Sequence, residues 1–488
     1  MKQRAHWLLL LAVIAGPATP LMAAETKSAA AQKPNIIFIL ADDLGYGDLG
    51  CYGQTKIKTP NLDRMAAEGI RFTDYYSGAA VCSPARASLM LGLDMGRCRI
   101  IDNGPATLLP EETTVAQRLQ SAGYTTGMIG KWGLDAPPGD PGWPNQKGFD
   151  HWFGFQSQGY AHYHYPQYLH RNADRIVIAE NNDVRKNGHY LPGKGRYAHD
   201  LFAAETETFL RTNAHKPFFL YLPFTIPHAE LAIPADDPDL AEYRALGWPE
   251  KPKKEGGGGG AYGSPYSKGY CANDHPNATY AAMISKLDRT VGRIFALLKE
   301  LNLEEQTLVI FTSDNGPSRE GGQDLAFFKS SGPLRGCKGS IYEGGTRVPM
   351  IARWPGRIAP AQVSSQPVAA CDFMPTACEL AGIPVTTPTS GFSFLPTLLG
   401  KNQGARPYLY YRWRNSDAIR SGKWKLVREE AQTGSYTFEL YDLEADIAES
   451  RNLAGQHPEI VSNLSQMFET ARIPRPEPRN VKKPKRNQ

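Results

Sequence analysis

The 488-residue chain is best narrowed first by what it has little of. Beyond residue 16 no apolar run approaches the roughly 20 residues a membrane-spanning helix needs, which excludes an integral membrane segment in the mature chain. An excess of one charge is missing too. The 54 Lys and Arg against 49 Asp and Glu leave only +5, too small for the basic footprint of a nucleic-acid binder. Internal repeats are absent, and with 41% hydrophobic and 21% charged residues global disorder is excluded. Cysteine is scarce and odd in number. Seven residues leave at least one thiol unpaired or chemically used, and Cys82 is the candidate.

Residues 1–24 read as a signal peptide: Lys2 and Arg4, an apolar run from Trp7 to Gly16, then Ala23 and Ala24. The expectation is an exported chain, periplasmic or secreted, with net charge +3 after cleavage and no cysteine for a lipid anchor. A catalytic α/β domain is expected over 33–402, a small C-terminal subdomain over 403–473, and a solvated Pro- and Lys/Arg-rich tail over 474–488. Residues 250–263, with five consecutive glycines, read as a flexible surface insertion.

Asn35 to Leu40 is a continuous apolar run of strand length, suited to a strand buried on both faces. Thr59 and Pro60 open a helix closed by Gly69, and Thr114 to Ala122 form another, stopped by Gly123. Thr125–Ile129, Phe218–Leu222 and Thr307–Thr312 read as further strands. The strongest helix carries Tyr280, Met283, Ile284, Leu287, Val291, Ile294, Leu298 and Leu301 on one stripe. This alternation predicts an α/β fold, a large mixed central sheet flanked by helices. The pieces YLYYRW, KWKLV and FELYDL predict a small C-terminal antiparallel sheet.

Ligands of open α/β sheets collect beyond the carboxyl ends of the strands. Two acidic pairs fall there, Asp42-Asp43 and Asp314-Asn315. Alone, each also suits a turn or helix cap; together they make an all-oxygen set suited to calcium or magnesium. Between them stands Cys82-Ser83-Pro84-Ala85-Arg86, with Ser83 a candidate N-cap and Pro84 a first helical residue, so that Cys82 lies at the positive end of a helix. A buried, inert thiol at an ordinary helix start is the other reading.

Cys82-Ser83-Pro84-Ala85-Arg86, ending at Gly92, resembles the signature of the formylglycine-dependent sulfatases of the alkaline-phosphatase superfamily. NIIFILADDLGYGDLGCYG, AGYTTGMIGKW, KPFFLYLPFTIPH, TLVIFTSDNGP and LRGCKGSIYEGGTRVPMIARWPG resemble successive blocks of that family, from about Pro34 to Leu453. The resemblance implies that a separate formylglycine-generating maturation enzyme oxidises Cys82 to an aldehyde. It also implies that Asp42, Asp43, Asp314 and Asn315 hold calcium together with residue 82. Arg86 then holds the aldehyde hydrate, Lys131 and Lys338 grip the sulfate, and His228 faces the leaving oxygen. Physically, a cation, two lysines and an arginine offset the charge of a sulfate ester approached by an anionic nucleophile.

The chain departs from the family pattern at Gly133, where many members carry histidine. His162, or His164 beside it, is the candidate substitute. The surrounding GKWG and AHYHYP segments resemble a bacterial branch acting on sulfated sugars, with a lean toward galactose or N-acetylgalactosamine units. Trp152, Phe153, Phe155, Tyr160, Tyr163 and Tyr165 either stack on sugars or build core, and Tyr410, Arg412, Trp413 and Arg414 are candidate substrate contacts. Two rivals stand beside the sulfatase reading: a formylglycine phosphonate or phosphate ester hydrolase, and a sulfated-glycan-binding pseudoenzyme. Cys371 and Cys378 read as buried thiols.

Overall fold

The computed structural model describes residues 33–104, 106–257, 269–431 and 434–473. The signal peptide, the basic tail and most of the glycine-rich insertion lie outside the described residues. No helix of the described residues is long and apolar enough to cross a membrane.

Fourteen strands build the two principal sheets. The larger contains β1 (Asn35–Ala41), β2 (Ile70–Phe72), β3 (Thr125–Lys131), β4 (His151–Phe155), β5 (Tyr168–Arg171), β6 (Asp174–Val177), β7 (Phe218–Pro223), β8 (Thr307–Ser313), β9 (Met350–Arg353) and β10 (Gln362–Ser364). Its ten strands run in the order β10-β2-β9-β8-β1-β7-β3-β4-β5-β6. The central five, β8-β1-β7-β3-β4, are parallel, and antiparallel pairings join β9 to β8 and β5 to β4. The sheet is mixed, as expected.

The apolar run of β1 is explained by burial on both faces. Ile37 and Ile39 join one core with Val309, Phe311, Leu220 and Leu222, while Ile36, Phe38 and Leu40 join the other with Leu308, Ile310 and Phe219. The first core lies under α1 (Pro60–Ala67), α4 (Ala198–Asn213) and α5 (Pro276–Glu300). The second lies under α2 (Cys82–Leu91), α3 (Val115–Ser121) and α6 (Phe373–Ala381). The long helix starts four residues before Tyr280, with Pro276 in the first turn where its missing N–H costs no bond. Thr114 caps α3 in a reciprocal box with Gln117.

A second sheet of β11 (Leu409–Trp413), β12 (Ser416–Ser421), β13 (Trp424–Glu430) and β14 (Tyr436–Asp442) is antiparallel throughout. The sequence pieces marked three of these strands; β12 was not foreseen, because its polar SDAIRS pattern presents few apolar residues. One face packs Tyr410, Ile419, Leu426 and Leu440 with Phe468 of α7 (Pro458–Ala471) into the second core. The other packs Tyr411, Ala418 and Val427 onto Tyr76 and Ile341.

The structure decides three of these readings. Cys82 is a buried free thiol, as read. Trp152, Phe153, Phe155, Tyr160, Tyr163 and Tyr165 are all buried and serve as core. Ser83 is not the N-cap: α2 begins at Cys82 after Val81, and the Ser83 amide is taken by Asn103 Oδ1 at 2.9 Å. Pro84 is therefore the third helical residue, still within the first turn, where no intrahelical donor is lost. Cys371 and Cys378 are buried, as read.

Leu287 of α5 is fully buried in the first core. Leu287→Ala is expected to lower unfolding free energy by about 2–5 kcal/mol, measured by denaturant titration.

Candidate active site

The pairing register explains why the two acidic pairs meet. Ala41 of β1 stands opposite Ser313 of β8, so the next residues, Asp42-Asp43 and Asp314-Asn315, leave the sheet side by side. The Asp314 amide donates to Ala41 O at 3.1 Å and the Asp43 amide to Asp314 Oδ1 at 3.1 Å. Asp43 turns the chain with φ +65°. Lys131 ends β3, and His228 follows β7, so four neighbouring parallel strands deliver their C-terminal residues to one place.

Cys82, at the first turn of α2, brings its Sγ to 3.4 Å from Asp42 Oδ1 and 3.9 Å from Asp43 Oδ1. Arg86, one helical turn on, donates from Nε and Nη2 to Asp314 Oδ2 at 3.2 and 2.7 Å, and from Nη1 to the Lys131 carbonyl at 2.8 Å. Lys131 Nζ donates to Asp42 Oδ2 at 2.7 Å. Lys338 Nζ lies 2.9 Å from Asp43 Oδ2 and 3.1 Å from His228 Nε2. Asp42, Asp43, Cys82, Arg86, Lys131, His228, Asp314 and Asn315 are all buried. Lys338 and His162 are half-buried and form the mouth.

This burial makes each charge depend on its neighbours. Burial acts to raise the Asp42 carboxyl, but Lys131 and Arg86 more than offset it and hold it well below the usual carboxylate range. Burial and the neighbouring Asp42 charge push Asp314 up to about 7 against the pull of Arg86. Burial raises Asp43 as well, opposed by Lys338. The Cys82 thiol is pushed up, first by burial and then by Asp314, so it is not a thiolate nucleophile in this setting. His228 is held neutral by burial and by Lys338, whose own ammonium is favoured by Asp43 despite burial.

The residues fit a hard divalent cation. Ligand atoms of Asp42, Asp43, Cys82 and His228 lie within 4.8 Å of one another. Asn315 Nδ2 is used on Asp43 Oδ1 at 2.7 Å and on Gly316 O at 2.9 Å, while its Oδ1 is buried without a hydrogen-bond partner. The three buried carboxylates and the orphaned Asn315 Oδ1 are hard oxygen donors of the kind that suits calcium or magnesium.

The sequence-predicted residues come together here. His162 joins beside His228: its ring lies 4.1 Å from that of His228, and its Nδ1 is 2.8 Å from the Tyr270 hydroxyl. Its Nε2 is buried without a partner. His164 is turned away, with Nε2 on the His228 carbonyl at 3.1 Å. Tyr270 and Gln158 were not foreseen. Tyr270 follows the glycine-rich insertion and carries no motif.

Gly133 has φ +74°, and a Cβ there would meet Arg86 Cδ at 2.8 Å and Gln158 Oε1 at 2.9 Å. The space that a side chain at 133 would need is thus taken by Gln158 and by the guanidinium arm. Gly133→Ala is expected to cost about 1–3 kcal/mol from backbone strain and crowding. Thermal unfolding reads this, and an unchanged midpoint would show that Arg86 and Gln158 yield freely.

Comparison with known proteins gives the family. The family model described as Sulfatase matches residues 34–383, and one described as N-sulphoglucosamine sulphohydrolase, C-terminal, matches 337–473. Arylsulfatase A of Homo sapiens is 33% identical over 503 residues, covering 92% of this chain and 90% of its own. N-acetylgalactosamine-6-O-sulfatase of Bacteroides thetaiotaomicron is 32% identical over 512 residues, covering 90% and 93%. The crystal structure of Ps i-CgsB in complex with k-i-k-neocarrahexaose superposes with TM-score 0.75 at 27% identity, covering 92% and 94%. The acidic pairs meeting beyond β1 and β8, and the match that runs through both, place this chain in the sulfatase family, the sulfuric ester hydrolases of the alkaline-phosphatase-like fold.

Proposed function

We propose that the protein hydrolyses sulfate monoesters of sulfated sugars, on galactose or N-acetylgalactosamine units of polysaccharides, with residue 82 as formylglycine and calcium held by Asp42, Asp43, Asp314 and Asn315. The reading includes export to the periplasm or medium and oxidation of Cys82 by a separate maturation enzyme. The observation that carries it is the convergence of Arg86, Lys131, Lys338 and His228 on Cys82 and three buried carboxylates.

The Cys82 Sγ marks the place of the modified residue's oxygen atoms. When present, the cation and the aldehyde hydrate together supply the nucleophilic oxygen and offset charge on the ester. The chain's own residues do the rest. Lys131 and Lys338, on either side of the aspartate pair, neutralise the sulfate oxygens, and Arg86 orients residue 82 while balancing Asp314. The Lys338–His228 pair, 3.1 Å apart, carries the proton that the departing alcohol takes up. His162, with its free Nε2 and its Nδ1 fixed by Tyr270, accepts the proton released when sulfate leaves. That role answers the glycine at 133.

Free sulfate released from mono- and oligosaccharides sulfated at defined positions tests the reaction, with Cys82→Ala as the blank. Release from one regioisomer, abolished in the variant, is expected. Release of phosphonate in preference to sulfate would establish the rival hydrolase, and glycan binding without release the pseudoenzyme. For the metal, calcium at about 100 times its dissociation constant is expected to stabilise the protein by roughly 2.7 kcal/mol. Asp314→Ala should lose this calcium-dependent shift in thermal unfolding; an unaltered shift contradicts the ligand set.

A further inference from the structure

The face of the C-terminal sheet that docks on the loop before Cys82 does not end at the dock. Tyr411, Ala418 and Val427 form one cross-strand row of that face, packed on Tyr76 and Ile341, and the Tyr411 hydroxyl donates to Ser77 O at 3.2 Å. The next row outward on the same face is Trp413, Ser416, Glu429 and Thr437, each directly opposite its neighbour. These four residues line a cavity of about 230 Å³ whose far wall is Gly339 to Tyr342.

The cavity adjoins the active site through Gly339. That residue follows Lys338, and its amide donates to Ala80 O at 2.8 Å, two residues before Cys82. Lys338 is one of the two site side chains at the mouth, and it sits with His228 where the leaving alcohol must be. The cavity therefore shares its wall with the loop that carries Lys338.

We infer that this cavity binds the sugar linked to the sulfated unit, and that it selects an uncharged one. The inference rests on the sulfatase reading. At about 230 Å³ the space is below the roughly 300–1,000 Å³ of drug-sized ligand sites and suits a single pyranose ring. The half-buried Trp413 indole and the buried Ile341 and Val427 offer an apolar wall and floor for the C–H face of a sugar. Ser416 and Thr437 supply hydroxyls at the rim. No Lys or Arg lines the cavity, while Glu429 and Glu439 do. Glu439 is occupied by the Tyr342 and Tyr441 hydroxyls, both at 2.6 Å, which leaves the exposed Glu429 to meet the ligand. A carboxylate there accepts hydrogen bonds from sugar hydroxyls and repels a uronate or a second sulfate.

Three sulfated substrates test the assignment: a monosaccharide, its disaccharide with a neutral neighbour and its disaccharide with a uronate neighbour. Trp413→Ala is expected to lower kcat/KM about tenfold on the neutral disaccharide and to leave the monosaccharide unchanged. Glu429→Gln is expected to raise kcat/KM on the uronate disaccharide roughly fivefold. Equal losses on mono- and disaccharide in Trp413→Ala, no loss on either, or a wild-type preference for the uronate substrate would overturn it. Titration of Cys82→Ala with the desulfated neutral disaccharide separates this failure from failure of the sulfatase reading. Saturable binding that Trp413→Ala removes upholds the cavity even if no sulfate is ever released, and absence of binding overturns it.

Discussion

Three carboxylates from two adjacent strand ends cannot share a solvent-free pocket unless cations meet them there, and the rest of the structure depends on that balance. Asp42, Asp43 and Asp314 are buried to within 2% exposure, and each is met by a basic side chain from a different part of the chain. Arg86 comes from a helix, Lys131 from a strand end and Lys338 from a loop. Removing one partner of a buried pair typically costs about 3–5 kcal/mol, because the other charge is stranded. Burial and the neighbouring Asp42 charge push Asp314 up to about 7 despite Arg86. The array of positive charge around the carboxylates suits an anionic ester.

The sheet makes this array possible. Parallel pairing of β1 with β8 and β7, and of β7 with β3, aligns four C-terminal ends, so residues distant in sequence emerge together at one edge of the sheet. Two apolar cores fix the sheet from either face. The C-terminal sheet packs one face into the second core and turns the other toward the loop that leads into Cys82, which places an accessory wall beside Lys338.

Much of this was legible in the sequence. NIIFIL followed by two aspartates, and TLVIFT followed by Ser-Asp-Asn, announce buried strands that end in acidic pairs, because burial on both faces forces a continuous apolar run. The stripe along α5 announced its helix for the same reason of periodicity. Less legible were features set by tertiary neighbours. Ser83 has the chemistry of a cap, yet Asn103 takes its amide and the helix starts a residue earlier. The aromatic residues from Trp152 to Tyr165 have the chemistry of a sugar platform, yet the sheet edge buries them. Of the four candidate contacts near residue 412, strand alternation turns Tyr410 inward, where its hydroxyl donates to Asp417 at 2.7 Å, and leaves Trp413 on the face toward the site. Gly133 read as a departure from the family pattern, and its surroundings show that Gln158 and Arg86 fill the space a side chain would need.

The central claim is that residue 82 works as an aldehyde within this charge array, and peptide mass spectrometry joined to activity tests it most directly. Preparations matured to different extents are digested, and the fraction of the residue-82 peptide carrying formylglycine is plotted against specific sulfate release. The account predicts a straight line through the origin. Full activity in a preparation whose Cys82 is entirely unmodified would contradict it.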